Sequence, residues 1–307
     1  MKFRNIIGHQ KQLEQLENDL NSDNLAHAYL FAGPEDLGKY KIARLFAEEL
    51  QTNGLDDESS LRIKNLMKTG AHLDSVFIRR ETENQTIKIE EIRKILDNLQ
   101  MTGDSSFRVL VMEDIERLTP EAANAMLKML EEPPEKVCFI LTTSKPSAVL
   151  ETILSRVRRI DFGVMLDEDL NDALSRRYRL MDHNKINEIV EMSGGKIAKA
   201  IKLAENSEML EAYEDVYRQI ENFLNNGKIT EAFQFIGKIY EDRLLVKIFI
   251  EIGFVVLRKR LLSDLQANQR SSIISDVTKL EKLYNVKNLS ETNVNNRLLL
   301  ENFILSL

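Results

Sequence analysis

The sequence predicts a doubly wound α/β domain followed by helices alone, and three observations carry that expectation. Apolar runs of strand length alternate with amphipathic helical segments over residues 1–162. The stretch "GPEDLGKY" (33–40) joins one such run to a helix with the glycine and lysine spacing of a phosphate-binding loop. From Gly163 onward only helical periodicity is left. A doubly wound sheet carries ligand loops at the carboxyl ends of its parallel strands, which is where this loop falls.

"HAYLFAG" (27–33) is the first strand, and the helix after it, "KYKIARLFAEEL", sets Ile42, Leu45, Phe46 and Leu50 along one face. Residues 51–73 break the rhythm with a polar, acidic start and read as an insertion or a helical excursion. "DSVFIRR" (74–80) is a second strand, and a helix over 88–101 turns Ile89, Ile92, Leu96 and Leu99 inward. "RVLVME" (108–113) is nearly all apolar, as a central parallel strand covered on both faces must be. Thr119 as cap, Pro120 at the first helical position and Glu121 at the positive end start a helix that Pro133 and Pro134 stop. "KVCFILTTS" (136–144) is a fourth strand, a short helix covers about 147–154, and "RRIDF" (158–162) is a fifth strand. Three short amphipathic segments then make a small bundle over 163–207, the second closed by Gly194 and Gly195. Longer helices fill 208–307, with breaks expected near 225–227, Asp242, 268–272 and 287–290. On these helices Phe249, Ile252, Val256 and Leu257 form an apolar stripe that reads mainly as core.

With 307 residues, 43% hydrophobic and 30% charged, and only 12 Gly and 5 Pro, the chain has material for two or three cores and is not a disordered one. A net charge of −7 argues against nucleic-acid binding by this chain alone. The single cysteine, Cys138, excludes an internal disulfide and a multi-cysteine zinc site, and within "VCFIL" it reads as a packed thiol. His72 stands alone, and His9 and His27 lack partners at ligand spacing, so no metal is expected. The first residues, "MKFRNIIGHQ", lack the apolar core of a signal peptide, and the longest apolar stretch (246–257) is too short for a bilayer and contains Glu251. A cytoplasmic protein without a membrane partner is expected.

In a working phosphate loop the backbone N–H groups cradle phosphates, the lysine reaches the β and γ oxygens, and a Ser or Thr after the lysine holds magnesium. Here Gly33, Gly38 and Lys39 are in place, but Tyr40 occupies the hydroxyl position, and Glu35 and Asp36 bring two carboxylates to a site for polyphosphate. A chance match, a weakened enzyme and a nucleotide fold kept for another purpose are the three readings this loop leaves open.

Further motifs decide among them. "IIGHQKQLEQL", "AHAYLFAGPEDLGK", "FRVLVMEDIERLTPEAANAMLKMLEEPP", "VCFILTTSKPSAVLETILSRV" and "NVNNRLLLENFIL" together resemble the clamp-loader branch of the AAA+ ATPases over nearly the whole chain. "ANAMLKMLEEPP" followed by "ILSRV" is the most specific part, and within the branch the pattern is most similar to delta-prime-type subunits of bacterial DNA polymerase III. The resemblance implies an AAA+ nucleotide-binding-like domain with a degenerate loop at 1–162, a three-helix lid at 163–207 and a helical collar at 208–307 that holds subunits in a ring. It also implies a complex that uses ATP to open a sliding clamp and place it on primed DNA.

Carried over position by position, the resemblance marks losses and one retention. The branch usually has glycine where Asp36 stands, and Asp then Glu where this chain has Glu113 then Asp114, so the shorter Asp114 falls short as a base. The lid position of a phosphate-contacting arginine is Ala198, flanked by Lys196 and Lys199. Thr143 or Ser144 fits the polar phosphate-sensing position, or else caps the turn before Pro146. Relatives often bind zinc through four cysteines after the first helix, where residues 51–73 contain none. Ser155 and Arg156 are kept where relatives have Ser-Arg-Cys, a motif whose arginine reaches the γ-phosphate of a neighbouring subunit's ATP. The alternative is that Arg156, Arg158 and Arg159 form a solvated basic stretch.

The resemblance thus implies a non-hydrolysing, delta-prime-type structural subunit. Arg156 and Ser155 act in trans, Gly33, Gly38, Lys39 and Thr143 form a degenerate, weak or empty nucleotide site, and no metal is held. No cofactor belongs to this chain; ATP acts at neighbouring subunits, with passive nucleotide binding left open. Its partners would be tau/gamma-type motor subunits and a clamp-opening delta subunit, with the sliding clamp reached indirectly and primed DNA through the assembly. The rivals are an active AAA+ motor subunit, which ATP turnover would reveal, and an autonomous DNA-binding protein, which the acidic balance disfavours.

Overall fold

The computed structural model describes residues 3, 6–22, 24–80, 85–100, 107–226, 229–290, 292 and 294–305. Two compact units are present: Met1–Asp169 with Lys196–Ala198, and Leu170–Gly195 with Lys199–Leu307.

The first unit runs α1 (Gln10–Asn21), β1 (Ala28–Ala32), α2 (Lys39–Thr52), α3 (Asp57–Thr69), β2 (Ser75–Ile78), α4 (Ile89–Gln100), β3 (Arg108–Met112), α5 (Pro120–Glu131), β4 (Val137–Thr143), α6 (Glu151–Leu154) and β5 (Arg158–Asp161). All five strands are parallel, in the order β2-β3-β4-β1-β5. Strand alternation divides the core. Tyr29, Phe31, Val109, Val111, Cys138 and Ile140 pack on one face with Ile42 and Phe46 of α2. Ala28, Leu30, Leu110, Met112, Phe139 and Leu141 pack on the other with Ile92 and Leu96 of α4 and Met126 and Leu130 of α5. Both faces are covered, which is why β1 and β4 are apolar with no polar alternation until Thr142 and Thr143. This order brings the carboxyl ends of β3, β4 and β1 side by side, and the candidate loop leaves from β1.

Local signals explain the ends of these elements. Thr119 Oγ1 accepts from Ala122 N at 3.3 Å and Pro120 opens α5. The acidic excursion at 51–73 is a helix, α3, whose cap Asp56 accepts from Ser59 N at 2.9 Å. The short helix expected over 147–154 is instead a 3-10 turn, Pro146–Ala148, followed by α6, because Pro146 favours a turn start and Val149 is extended in between. Residue 101, the expected end of the α4 helix, lies outside the described residues.

Helices alone follow: α7 (Asp167–Arg177), α8 (His183–Ser193), α9 (Ile197–Glu205), α10 (Ser207–Asn226), α11 (Ile229–Ile239), α12 (Arg243–Gln266), α13 (Arg270–Ser290) and α14 (Asn296–Leu305). Asp182 caps α8 and Asp242 caps α12, each through backbone N–H groups of the first turn. Gly194, at φ 59°, ends α8. Phe249, Ile252, Val256 and Leu257 are buried along α12. The break expected near 287–290 falls at the end of that interval: α13 runs to Ser290, with Leu283 and Val286 buried along it, and α14 starts at Asn296. Residue 227, in another expected break, lies outside the described residues. Among the described residues no helix is long and apolar enough to cross a membrane.

Candidate functional site

The loop after β1 keeps the shape of a phosphate cradle by local necessity. Gly33 N donates to Thr143 O at 3.2 Å, and at φ 150° a Cβ on Gly33 would lie 2.2 Å from Phe162 O. Gly38 starts α2 at φ 83°, with the Ala198 methyl 3.9 Å from where its Cβ would be. Asp36 takes the left-handed conformation too, at φ 61°, and its carbonyl accepts from Ala198 N at 2.9 Å. His9 Nε2 lies 3.0 Å from Leu37 O, and burial pushes its pKa down, so the neutral ring donates to this carbonyl.

The charged groups do not present themselves to a phosphate. Lys39 is 6% exposed, and its ammonium donates to Gly33 O at 2.7 Å, Pro34 O at 2.6 Å and Ser144 Oγ at 3.2 Å. Burial lowers its pKa, against the opposing pull of Asp114, Glu116, Glu35 and Asp36. Asp114, 7% exposed and at φ 54°, faces Arg80 Nη1 at 3.1 Å and Ser144 Oγ at 3.5 Å, while its N–H donates to Thr142 Oγ1 at 3.1 Å. Burial raises its pKa, Glu116 adds to the rise and Arg80 opposes it. Arg80 Nη1 is 3.7 Å from Glu35 Oε1, and the Arg80 N–H donates to Glu113 Oε2 at 2.9 Å. Asp114 is therefore held by the Arg80 guanidinium and Glu113 by the Arg80 backbone amide. Ser144 N donates to Glu116 Oε1 at 2.9 Å, which leaves Glu116 Oε2 buried without a hydrogen-bond partner.

Thr143 and Ser144 separate in role. Thr143 is fully buried and its Oγ1 accepts from Lys145 N at 3.1 Å, capping the turn before Pro146. Ser144 is the one whose hydroxyl meets Lys39 and Asp114. Tyr40 lies against the apolar cluster around α2, and burial raises its phenol pKa. Of the two lysines beside Ala198, Lys199 is 2% exposed and engaged by Glu251 Oε2 at 2.8 Å and by the Tyr213 ring 4.4 Å away.

The ammonium of Lys39 is turned onto its own loop's carbonyls, Arg80 is bound by Glu35 and Asp114, and four carboxylates act on Lys39 where phosphates would add more negative charge. Among the described residues no group of three or more His, Cys, Asp or Glu side chains is placed to hold a metal ion. His72, in the cysteine-free segment 51–73, is buried with Nδ1 lacking a hydrogen-bond partner, and burial lowers its pKa. Sequence reading missed Arg80. It was absorbed into "DSVFIRR" as strand, although a basic residue just past a strand's carboxyl end, in a sheet that carries its site there, was the available signal.

Ser155 and Arg156 lie elsewhere, on the turn between α6 and β5. Arg156 Nη1 donates to Thr152 O at 2.8 Å and Ser155 Oγ at 3.0 Å, and Nη2 meets Glu131 Oε1 at 2.7 Å. The neighbouring arginines are paired within this chain. Arg158 is bound by Asp19 at 2.9 Å and by Asn24 O at 2.9 Å, and Arg159 by Asp161 at 2.7 Å.

The sequence model of the family described as "DNA polymerase III, delta subunit" matches residues 8–165. The chain is 31% identical over 213 residues to the DNA polymerase III subunit gamma of Buchnera aphidicola subsp. Schizaphis graminum, covering 67% of this chain and 58% of that one. It is 26% identical over 246 residues to the subunit tau of Bacillus subtilis, covering 78% and 42%. It is 26% identical over 221 residues to the subunit delta' of Bacillus subtilis, covering 68% and 63%. Of the first of these relatives, then, the chain spans little more than half the length.

Proposed function

The chain belongs to the DNA polymerase III delta-subunit family, and from that premise we propose that it is a clamp-loader subunit of the delta-prime type, which does not itself hydrolyse ATP. The observation that carries the reading is Lys39. In a hydrolytic site its ammonium would be offered to the β and γ oxygens, and here it is held by Gly33 O, Pro34 O and Ser144 Oγ. The missing hydroxyl at Tyr40, the carboxylates of Glu35 and Asp36, Asp114 paired with the Arg80 guanidinium and Glu113 held by a backbone amide all weigh against the same reaction.

Arg156 weighs the other way. It is a partly exposed guanidinium at the edge of the α/β unit, bound by one exposed carboxylate, and it is the residue this chain offers to a neighbour's γ-phosphate, with Ser155 orienting it. On this reading residues 163–207 act as a lid and 208–307 as a collar. The partners are tau/gamma-type motor subunits and a clamp-opening delta subunit, with the clamp and primed DNA engaged through the assembly.

In a loader reconstituted from these subunits with clamp and primed DNA, Arg156→Ala should leave assembly intact. The served site should slow by about 10³-fold, the order found for supplied arginines, so total turnover falls by that site's share. Unchanged turnover and clamp loading would remove Arg156 from the mechanism.

A further inference from the structure

Arg156 is held in two different ways. Nη1 donates to Thr152 O and to Ser155 Oγ, two groups of its own turn, and Ser155 Oγ itself donates to Thr152 O at 3.1 Å. These contacts fix the plane of the guanidinium and carry no net charge. Nη2 is bound by Glu131 Oε1 at 2.7 Å, across from α5. The two side chains are 33% and 49% exposed, so the pair is hydrated, weak and free to exchange partners.

The position of Glu131 is unusual on its own helix. It is the last residue of α5, at the negative end of the helix dipole, where a carboxylate is disfavoured unless a cation stands beside it. Pro133 and Pro134 keep α5 from continuing. The helix thus ends with an anion presented to the arginine that faces outward.

We infer that Glu131 is a placeholder anion: it occupies the Nη2 side of Arg156 until a neighbour's phosphate displaces it, while Ser155 and Thr152 O keep the guanidinium aimed. The inference rests on the finger reading of Arg156 proposed above. A phosphate outcompetes a single exposed carboxylate for a guanidinium because it brings more charge and more acceptor oxygens in the geometry the fork matches. Glu131 is then a positioning residue, and it sets how much ATP affinity the arginine can contribute.

The test uses the reconstituted loader with clamp and primed DNA, carrying this chain as wild type, Glu131→Gln, Glu131→Asp, Arg156→Ala or the double variant E131Q/R156A. Removing the competing charge strengthens binding of ground and transition state alike, so Glu131→Gln should lower the KM for ATP roughly two- to fivefold, the range of an exposed ion pair, with kcat unchanged. Glu131→Asp retains the charge and should stay near wild type. In the Arg156→Ala background Glu131→Gln should change nothing, because the pair no longer exists. A KM that rises or stays fixed in Glu131→Gln, while Arg156→Ala still lowers turnover, overturns the placeholder and leaves the finger standing. The same KM effect with and without Arg156 also overturns it. Wild-type turnover in Arg156→Ala overturns both.

Discussion

At the scale of residues, the shape of the loop after β1 is set by close contact. Gly33 is required by contact alone, since any Cβ would meet Phe162 O at 2.2 Å. Gly33→Ala should therefore destabilise the α/β unit by on the order of 3 kcal/mol, read by urea unfolding, whether or not nucleotide is added. Asp114 gives a pH test. Burial raises its pKa above the ordinary 3.8, so the unfolded chain ionises first, and stability falls as pH rises from 3.8 through the folded value. Asp114→Asn removes that penalty. Its unfolding midpoint should exceed wild type at pH 7, and the difference should shrink toward pH 4. A difference that grows on acidification would mean that Arg80 stabilises the carboxylate by more than burial disfavours it.

At the scale of elements, the buried pair between α9 and α12 sets an energetic expectation. Lys199 is 2% exposed and Glu251 binds it at 2.8 Å, while Tyr213 OH donates to the same carboxylate at 2.9 Å. Glu251→Leu strips the buried ammonium of that carboxylate and should cost about 3–5 kcal/mol, measured by chemical denaturation of the full chain. Adding Lys199→Met should recover most of the loss. Lys199 also marks where the sequence was poorly legible, because there it is only a lysine flanking Ala198, while its burial makes it a core residue. The strands and α5 were legible because doubly covered strands are apolar and Thr119-Pro120 is a physical start signal. α1 was not anticipated: His9 precedes it in a left-handed conformation without a side-chain cap, leaving only the spacing of Leu13, Leu16 and Leu20. At the site, residue types revealed the missing hydroxyl and the reversed carboxylates. Where Lys39 turns, that Arg80 joins Glu35 to Asp114, and that Ser144 and not Thr143 faces the lysine are tertiary facts, set by strand ends that lie far apart in the chain.

At the scale of the whole molecule, an α/β unit and a unit of helices alone make up a chain of net charge −7. On the proposed function, the chain contributes to an ATP-driven assembly without being one of its ATPases. The most direct measurement is steady-state ATP turnover by the purified full chain with magnesium, alongside Lys39→Ala. Turnover should be no higher than in a protein-free control and should not change on substitution. Turnover above control that Lys39→Ala abolishes would contradict the proposed function and make this chain a motor subunit.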